Sequence, residues 1–286
     1  MSEMLTLTQV PVFPNVTHAS RDEALAARSG DIRIEHDQKT GVLRNVAFDP
    51  GLIRFDERYQ NEQGHSEAFR THLLRVRDIV IQRLGKKNLV EIGCGKGFFL
   101  KSLRDAAVDV VGFDPAYEGD SPFVRREYFE PGVIRNVEGF ILRHVLEYFP
   151  DPFAFLEQLS RLNERRGKLL IEVADFEWVL RSRSWHSLFY EYPIYFRSSD
   201  FNVFFGDDCF IERGFGNQYI VVVGDLGATF NKRNDAQVWS DSEILEPVLD
   251  LPVSLKDKRI VVWGASSRGV MFSLLAQRQG CNIIGA

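Results

Sequence analysis

The chain has 286 residues, of which 44% are hydrophobic and 26% are charged, and its formal net charge is −5. These values are ordinary for a soluble globular protein, and the acidic balance argues against a partner with a phosphate backbone, so we expect no nucleic-acid partner. The N-terminus has no basic-then-apolar signal pattern, and no apolar run approaches the roughly 18 residues of a membrane span. We therefore expect a cytoplasmic protein with no membrane partner.

The three cysteines, Cys94, Cys209 and Cys281, are far apart and form no C-x-x-C pair. This spacing favours neither a disulfide framework nor a zinc ribbon, and it fits a reducing compartment. The length of the chain predicts about two domains.

Residues 1–58 show little hydrophobic periodicity and contain several prolines and glycines, which predicts a loop-rich N-terminal segment with short strands. From Ser66 onwards, apolar residues recur at helical spacing until Gly85 and predict a helix that packs on a sheet. The apolar positions of this helix are Phe69, Leu73, Val76, Val80 and Leu84.

Residues 88–100 carry the most informative motif of the chain. A short apolar run leads into Glu91, and glycines then alternate as E-x-G-x-G-x-G up to Gly97, directly before a helical apolar pattern. This predicts a strand, a tight glycine loop and a helix, as in the first crossover of a nucleotide-binding α/β sheet. A dinucleotide fingerprint, G-x-G-x-x-G, would place its third glycine one residue later, at Phe98. The early third glycine instead resembles motif I of class I S-adenosylmethionine (SAM) methyltransferases.

A second apolar run, residues 109–114, ends in a carboxylate shortly after the glycines. In nucleotide-binding sheets, an acidic residue about twenty residues past the glycine loop accepts the ribose hydroxyls of the bound nucleoside. We therefore predict that Asp114 binds a ribose. The alternative is that Asp114 only caps the turn before Pro115.

The rest of the chain alternates strands with helices and ends in a strand pair. The predicted elements are a short third strand that begins at Phe123 and Val124 and lies near residues 127–129, a fourth strand over 137–142, a helix that starts at Asp151 and Pro152, a fifth strand over 168–173, an aromatic insert over 185–205 and a strand pair that ends with 219–223. This order predicts an α/β fold with a doubly wound, Rossmann-like sheet and an antiparallel edge strand.

The predicted domain organisation has four parts. The loop-rich segment 1–58 precedes a SAM-binding core over 59–226, and a polar linker with a short helix follows over 227–257. Residues 258–286 repeat the pattern of strand, glycine loop and helix. Because one β-α-β unit cannot bury both faces of its own sheet, this part predicts the start of a second Rossmann-like unit that is cut short.

From about Pro11 to its end, the chain resembles the sugar C-methyltransferase family of class I SAM methyltransferases. The segments that carry the resemblance are 47–50 (AFDP), 59–61 (YQN) with Ser66 and Phe69, 91–97 (EIGCGKG), 112–115 (GFDP), 143–147 (RHVLE), 190–196 (YEYPIYF) and 262–269 (VWGASSRG). The resemblance implies SAM as the cofactor, methyl transfer as the reaction, and a C-terminal domain that opens near residue 262.

Two departures from the family pattern bear on function. Family members usually carry a zinc ribbon with C-x-x-C-G before the Phe-Asp-Pro segment, whereas this chain has Asp37 to Gly41 at that place, so we expect no zinc. The family also has histidines where Tyr148 and Tyr192 stand, and one of these histidines resembles a general base that removes a proton alpha to a keto group. A tyrosine, with an ordinary pKa of about 10, is a poorer base near neutral pH, so carbon, oxygen and nitrogen all stay open as the acceptor atom.

These patterns define three sets of candidate site residues. The predicted cofactor site comprises Glu91, Gly93, Cys94, Gly95, Gly97, Asp114, Pro115, Tyr128 and Arg143, with Cys94 as a small filler rather than a nucleophile. The catalytic candidates are Glu191, Tyr192, His144 and Tyr148. The candidate substrate-binding residues are Tyr59, Ser66, Glu147 and Tyr195.

Residues that follow the fourth and fifth strands belong at the carboxyl edge of the sheet, where open α/β folds bind ligands. For two candidates at that edge, a structural role is the alternative to a functional one. His144 would then be a capping or core-edge residue, and Glu147 would only pair with a neighbouring arginine. In the aromatic insert, Glu191 is favoured because a carboxylate among aromatic side chains has a shifted pKa, and the alternative is an insert that serves only as a packed lid.

The leading hypothesis is a SAM-dependent methyltransferase that acts on a small polar metabolite, either a nucleotide-linked sugar or a natural-product intermediate. One alternative is a non-catalytic protein that binds SAM or S-adenosylhomocysteine (SAH), which the two departures and the short C-terminal part favour. The other is a nicotinamide-dependent oxidoreductase, which the two glycine loops favour and the early third glycine disfavours.

Overall fold

The structure is a computed structural model that describes residues 3–54, 64, 66–206, 208–228, 245–255, 257–264 and 266–285. The strands are β1 (Glu3–Pro11), β2 (Ser29–His36), β3 (Leu43–Asn45), β4 (Leu89–Ile92), β5 (Val110–Phe113), β6 (Val124–Arg125), β7 (Gly139–Arg143), β8 (Lys168–Ala174), β9 (Ile194–Tyr195), β10 (Phe210–Gly214), β11 (Tyr219–Asp225), β12 (Arg259–Val261) and β13 (Asn282–Gly285). The helices are α1 (Arg21–Leu25), α2 (Glu67–Arg83), α3 (Phe98–Asp105), α4 (Pro152–Leu162), α5 (Phe176–Ser182), α6 (Asp200–Phe205) and α7 (Ser267–Arg278). Among the described residues, no helix combines the length and the apolar character needed to cross a membrane.

The chain forms two compact units. The terminal unit comprises Met1–Gln60, Phe176–Tyr195 and Val238–Ala286. The sheet unit comprises Asn61–Asp175 and Phe196–Gln237.

A seven-stranded sheet forms the centre of the sheet unit, in the order β10-β11-β8-β7-β4-β5-β6. Strands β4 to β8 run parallel, β11 runs antiparallel to β8, and β10 pairs antiparallel with β11. The chain places β5 and β6 on one side of β4 and places β7 on the other, so the strand order reverses between β4 and β7. Ligands of open α/β sheets bind at such a reversal, outside the carboxyl ends of the strands. The predicted doubly wound sheet with an antiparallel edge is confirmed.

The core of the sheet unit follows the predicted apolar pattern. All four residues of β4 are buried, as a strand in the middle of a parallel sheet requires. The predicted apolar face of α2 is buried at Phe69, Leu73, Val76, Val80 and Leu84. The helix begins after Ser66, whose hydroxyl accepts a hydrogen bond from the Phe69 amide at 3.4 Å, and it ends just before Gly85, which has a φ of +94°.

The third strand begins where the sequence predicts but does not extend to residues 127–129. Strand β6 covers only two residues and lies before residues 127–129. The apolar Phe129 packs its ring edge-on against Phe113 and Phe140, with ring centroids 5.1 and 6.0 Å apart, so its hydrophobic character reflects packing outside a strand. A two-residue strand has no periodicity for a sequence pattern to reveal.

The terminal unit contains a four-stranded antiparallel sheet in the order β1-β2-β3-β9. This corrects the prediction of a loop-rich N-terminal segment with short strands, because β1 spans nine residues and β2 spans eight. The register of β1 shifts between Leu7 and Val10, where Gln9 has a φ of +48°. Such a bulge removes the period-two alternation by which a strand is recognised in a sequence.

Part of the aromatic insert belongs to the terminal unit, because β9 pairs with β3. Residues 176–195, which lie within the core predicted over 59–226, group with the terminal unit. The hydroxyl of Tyr190 accepts a hydrogen bond from the Asp49 amide at 2.8 Å, and its ring stacks on Phe48 with centroids 5.7 Å apart. These contacts join two of the segments that carry the family resemblance.

The C-terminal part forms the predicted β-α-β unit, in which β12 and β13 pair in parallel. At the end of α7, Arg278 donates hydrogen bonds to the carbonyl oxygens of Thr8 and Gln9 in β1, at 2.6 and 3.1 Å. The β-α-β unit therefore contacts the N-terminal sheet, and the predicted separate domain over 258–286 is part of the terminal unit.

Candidate active site

The loop after β4 holds three glycines in a backbone region that other residues rarely adopt, with φ of +71° at Gly93, +56° at Gly95 and +77° at Gly97. The amides of Gly93 and Cys94 both donate to the carbonyl oxygen of Phe113 in β5, at 2.8 and 3.2 Å. These bonds tie the loop to the carboxyl end of the neighbouring strand.

Each glycine of the loop makes a different contact. A Cβ atom at Gly93 would lie 2.4 Å from Val145 Cγ2, so the absence of a side chain lets the turn after β7 approach the loop. A Cβ atom at Gly97 would lie 3.3 Å from the ring of Tyr117. A Cβ atom at Gly95 would meet no atom of the described residues within 4 Å. Of the three glycines, Gly95 is therefore the one that faces open space.

Asp114 connects the glycine loop with the loop after β5. Its Oδ2 accepts a hydrogen bond from the Gly95 amide at 2.8 Å, and its Oδ1 accepts one from the Ala116 amide at 2.8 Å. The carboxylate thus caps the turn that contains Pro115, as the alternative interpretation of the sequence held, and it also contacts the glycine loop. Gly95 and Asp114 together form a cradle at the point where the strand order reverses.

The cradle fits the adenosyl part of SAM. A carboxylate has about four lone-pair positions, so Asp114 retains capacity to accept ribose hydroxyls beside its two backbone bonds. The open side of Gly95 lets a ligand approach the backbone closely. Two other predicted cofactor residues lie nearby in sequence but differ in exposure: Glu91 is buried in β4, whereas Tyr128 is 67% exposed in the loop after β6.

Cys94 is buried beside Gly112, where a Cβ atom would lie 2.7 Å from the cysteine sulfur. Burial raises the pKa of the thiol, and the negative charges of Glu91 and Asp114 raise it further. Because the thiolate is the nucleophilic form of cysteine, a buried thiol with a raised pKa is unreactive. This environment supports the prediction that Cys94 is a filler.

A buried cluster of charged groups, which sequence reasoning missed, lies on the neighbouring strands. Glu172 in β8 is fully buried; Arg143 Nε donates to its Oε2 at 2.6 Å, and His72 Nε2 contacts its Oε1. Burial alone would raise the pKa of Glu172, but Arg143, His144 and His72 hold it well below its ordinary value. The guanidinium of Arg143 also lies 4.3 Å from the ring centroid of Phe99. Arg143, predicted to bind the cofactor, is thus engaged by Glu172 and Phe99.

His144 lies between two buried carboxylates. It follows β7 with a φ of +52°, and its Nδ1 is 3.6 Å from Glu147 Oε1 while its Nε2 is 3.8 Å from Glu172 Oε2. Glu147 Oε1 also accepts a hydrogen bond from the Ala174 amide at 3.1 Å, which ties it to the end of β8. Glu147 therefore lies next to a histidine, whereas the alternative interpretation of the sequence predicted that it pairs with an arginine.

The acceptor-side candidates of the aromatic insert, Glu191, Tyr192 and Tyr195, are all buried in the terminal unit. The Tyr195 hydroxyl donates to the carbonyl oxygen of Phe189 at 2.9 Å, and the Tyr192 ring lies edge-on to the Phe189 ring with centroids 5.7 Å apart. Burial raises the pKa of Tyr195, and the nearby charge of Glu191 raises it further. The carboxylate of Glu191 is thus close enough to Tyr195 for its charge to act on the phenol.

Three remaining candidates have simpler positions. Ser66 is exposed and caps α2. Tyr148 ends the short 3₁₀ turn Leu146–Tyr148 that follows β7. Tyr59 lies outside the described residues.

The loop that stands in place of the family's zinc-binding loop is closed by hydrogen bonds. Asp37 Oδ1 accepts from the Lys39 amide, the Thr40 amide and the Thr40 hydroxyl at 3.0, 2.9 and 2.9 Å, and Oδ2 lies 3.1 Å from Arg44 Nε. Partial burial would raise the pKa of Asp37, but these bonds and the charge of Arg44 lower it. In the part of the chain that the structure describes, no group of three or more His, Cys, Asp or Glu side chains is placed to hold a metal ion.

The strand order and the glycine loop are typical of nucleotide-binding α/β proteins. Residues 66–207, just under half of the chain, match a family model described as a methyltransferase domain. The chain therefore carries a segment that matches methyltransferase domains, which supports SAM-dependent methyl transfer as its class of activity. A search of curated proteins finds no match.

Many solved structures are similar in fold. One is magnesium protoporphyrin IX methyltransferase from Synechocystis PCC 6803 with bound SAH, at 17% identity, with 55% of this chain and 82% of that chain covered and a TM-score of 0.38. Another is a SAM-dependent methyltransferase from Thermotoga maritima, a possible histamine N-methyltransferase, at 16% identity, 56% and 91% coverage and a TM-score of 0.41. A third is 1,6-didemethyltoxoflavin-N1-methyltransferase from Burkholderia thailandensis, at 14% identity, 53% and 76% coverage and a TM-score of 0.39.

Proposed function

We propose that this protein is a methyltransferase that uses SAM to methylate a small polar metabolite. The observation that carries the proposal is the cradle of Gly95 and Asp114 at the strand-order reversal, in a segment that matches methyltransferase domains. Asp114 accepts the ribose hydroxyls through charge-assisted hydrogen bonds, which are among the stronger polar contacts in proteins. When bound, SAM supplies an electrophilic methyl group on its sulfonium, and the protein contributes chiefly by holding the reactants in line.

On the acceptor side, we propose Glu191 as the group that acts on the substrate. It is a buried carboxylate whose charge raises the pKa of neighbouring Tyr195, so it keeps an electrostatic influence in apolar surroundings. Tyr192, His144 and Tyr148 are further candidates. The resemblance of residues 190–196 to sugar C-methyltransferases favours a nucleotide-linked sugar or a natural-product intermediate as the substrate, with carbon, oxygen or nitrogen as the acceptor atom.

Isothermal titration calorimetry with SAM, SAH and NAD tests the class of cofactor. We expect heat of binding for SAM and SAH and none for NAD, because the third glycine of the loop comes too early for a dinucleotide. Binding of NAD without binding of SAM would contradict the proposal and favour an oxidoreductase.

The substitution Glu191→Gln tests the acceptor side, because it keeps the shape of the side chain and removes its charge. We expect turnover to fall far more than SAM affinity, the pattern of a group that acts on the reacting substrate. Tyr192→Phe tests the tyrosine hydroxyl in the same way, and Glu246→Gln, at an exposed position of the same unit, is the matched control. Wild-type turnover in both test variants would move the role to His144 or Tyr148. Tight SAM binding with no turnover on any acceptor would favour a non-catalytic SAM-binding protein.

A further inference from the structure

The turn after β7 begins with a residue in an unfavourable backbone conformation. His144 has a φ of +52°, a left-handed conformation that glycine and asparagine adopt far more readily than other residues. Its amide still donates to the carbonyl oxygen of Glu172 at 2.7 Å, so the pairing with β8 continues up to this residue and the chain leaves the sheet directly after it. A residue with a Cβ atom adopts this conformation at an energetic cost, which the rest of the structure must offset.

The side chain of His144 lies between two carboxylates and beside a tyrosine ring. Its two ring nitrogens face Glu147 Oε1 and Glu172 Oε2 at 3.6 and 3.8 Å, and its ring lies edge-on to Tyr219 with centroids 4.5 Å apart. The two carboxylates are themselves fixed, Glu147 by the Ala174 amide at the end of β8 and Glu172 by Arg143 and His72. The ring therefore packs among groups whose own positions are set by the sheet and by α2, and both ring nitrogens lie farther from the carboxylates than a hydrogen bond reaches.

The next residue, Val145, contacts the glycine loop. Val145 lies so close to Gly93 that a Cβ atom there would be 2.4 Å from Val145 Cγ2. On its other side, Gly93 is fixed by the hydrogen bond from its amide to the Phe113 carbonyl oxygen, at 2.8 Å. The backbone direction at His144 thus decides how Val145 packs on the first glycine of the loop.

We propose that His144 is a positioning residue for the cofactor. Its left-handed backbone places Val145 against Gly93 and so keeps the glycine loop in the conformation that binds SAM. The inference rests on the proposed function, since it assumes that the loop binds SAM. It assigns the effect of His144 on cofactor binding to backbone geometry and not to the imidazole.

Three substitutions at His144 separate geometry from ring chemistry. His144→Gly and His144→Asn lose the imidazole but accept a left-handed backbone, whereas His144→Val loses the ring and opposes that backbone strongly. In calorimetric titrations with SAM, we expect the dissociation constant to rise at least about tenfold for His144→Val and to stay within about threefold of wild type for the other two variants. Equal losses in all three variants would overturn the proposal, as would an unchanged dissociation constant in His144→Val.

Arg165→Val is the matched control for backbone strain. Arg165 is exposed, has a φ of +55° and lies between α4 and β8, at the opposite edge of the sheet from the glycine loop. This variant should lose thermal stability much as His144→Val does and should bind SAM as tightly as wild type. A comparable loss of SAM affinity in Arg165→Val would show that general destabilisation explains the effect, and the proposal would fall.

A double-mutant cycle tests the route through Val145. Val145→Ala alone should weaken SAM binding several-fold, and adding it to His144→Val should weaken binding little further, because both changes disturb the same contact with Gly93. Fully additive effects would overturn the proposed route. If His144→Val does not fold, the other variants still test the proposal. Loss of SAM affinity in both His144→Gly and His144→Asn would contradict it. Unchanged SAM affinity in Val145→Ala would contradict it as well. If wild-type protein does not bind SAM at all, the proposed function fails first and the inference fails with it.

Discussion

Two loops of this chain share the local pattern of strand, glycines and helix, and only one of them has the surroundings of a ligand site. The loop after β4 follows a strand that is buried along its whole length, and Asp114 from the next strand contacts its central glycine. The loop after β12 follows a strand of a two-stranded sheet in which Val261 is largely exposed, and Trp263 directly after it is fully exposed. The same local pattern thus occurs in two very different environments.

The glycines of the two loops also differ in the contacts that they make. In the second loop, a Cβ atom at Gly269 would lie 1.7 Å from the carbonyl oxygen of Gly264, so this glycine lets α7 start directly against the loop. A Cβ atom at Gly264, which has a φ of +112°, would meet no atom of the described residues within 4 Å. Alternating glycines therefore predict only a tight turn. A turn becomes a candidate nucleotide site when the neighbouring strand supplies an acidic residue beside it.

The largest expected effect is a loss of stability in the buried sheet beside the first loop. Glu172→Ala should lower the free energy of unfolding by about 3–5 kcal/mol, because it leaves Arg143 and His72 buried without their partner. Urea denaturation monitored by circular dichroism measures this change. The matched control is Glu212→Ala, which removes an exposed carboxylate bonded to Arg75 at 2.6 and 2.8 Å and should cost only about 0.2–1 kcal/mol.

The pH dependence of stability provides a second check on Glu172. Its pKa is lowered in the folded protein, so its ionised form stabilises the fold at neutral pH. This contribution is complete above the ordinary glutamate value of 4.5 and is lost as the pH falls below it towards the lower folded value. The wild-type protein should therefore lose stability below that pH more steeply than Glu172→Gln. Parallel pH profiles for the two proteins would contradict the assignment of the charge cluster.

The next largest effect is on cofactor affinity at the first loop. Asp114→Ala removes the proposed ribose contacts and also the bond to the Gly95 amide. Charge-assisted hydrogen bonds contribute roughly 1.5–3 kcal/mol each, so SAM affinity should fall at least tenfold, as calorimetry can measure. Asp105→Ala, at the exposed far end of α3, should leave affinity unchanged. Wild-type affinity in a folded Asp114→Ala protein would show that the cradle is not the ribose site.

A smaller effect compares the two loops directly. Gly95→Ala places a methyl group on the open side of the first loop and should weaken SAM binding roughly fivefold, because glycine there allows a close backbone approach. Gly264→Ala makes the same change at the open glycine of the second loop and should leave SAM affinity as in wild type. If Gly264→Ala weakened binding as much as Gly95→Ala did, the distinction between the two loops would be lost.

Sequence reasoning succeeded where an element leaves a complete local pattern. The apolar strand β4, the glycines and the helix α3 follow one another without interruption, so both the loop and the sheet were predictable. Strand β9 was not predictable, because its two residues pair with β3 far earlier in the chain and carry no periodicity. The same long-range pairing is consistent with residues 176–195 grouping with the terminal unit.

The candidate site was predictable only in part for a related reason. Asp114 stands at a fixed distance from the glycines, and that distance carries the prediction. Glu172 appeared in the sequence only as a single charged residue in an apolar strand, while His72 and Arg143, which pair with it, lie on other elements. The three glycines of the loop look equivalent in the sequence, and the difference between Gly93 and Gly95 depends on the side chain of Val145.

The smallest effect concerns the side chain of Cys94 in the first loop. Cys94→Ala should change SAM affinity less than about threefold, because the loop is tied to β5 through backbone amides, and Cys94 fills buried space beside Gly112. Burial raises the pKa of the thiol above the ordinary cysteine value of 9.0, so the thiol stays protonated when the pH passes through 9.0. Wild type and variant should therefore show the same pH profile of SAM binding through that range. Calorimetric titrations on either side of that pH make the comparison, and Cys94→Ser, which nearly preserves the volume, serves as the control. A profile with a step near that pH in wild type that vanishes in both variants would show that the thiol ionises and interacts with the ligand. The first loop would then bind through a side chain as well as through its backbone.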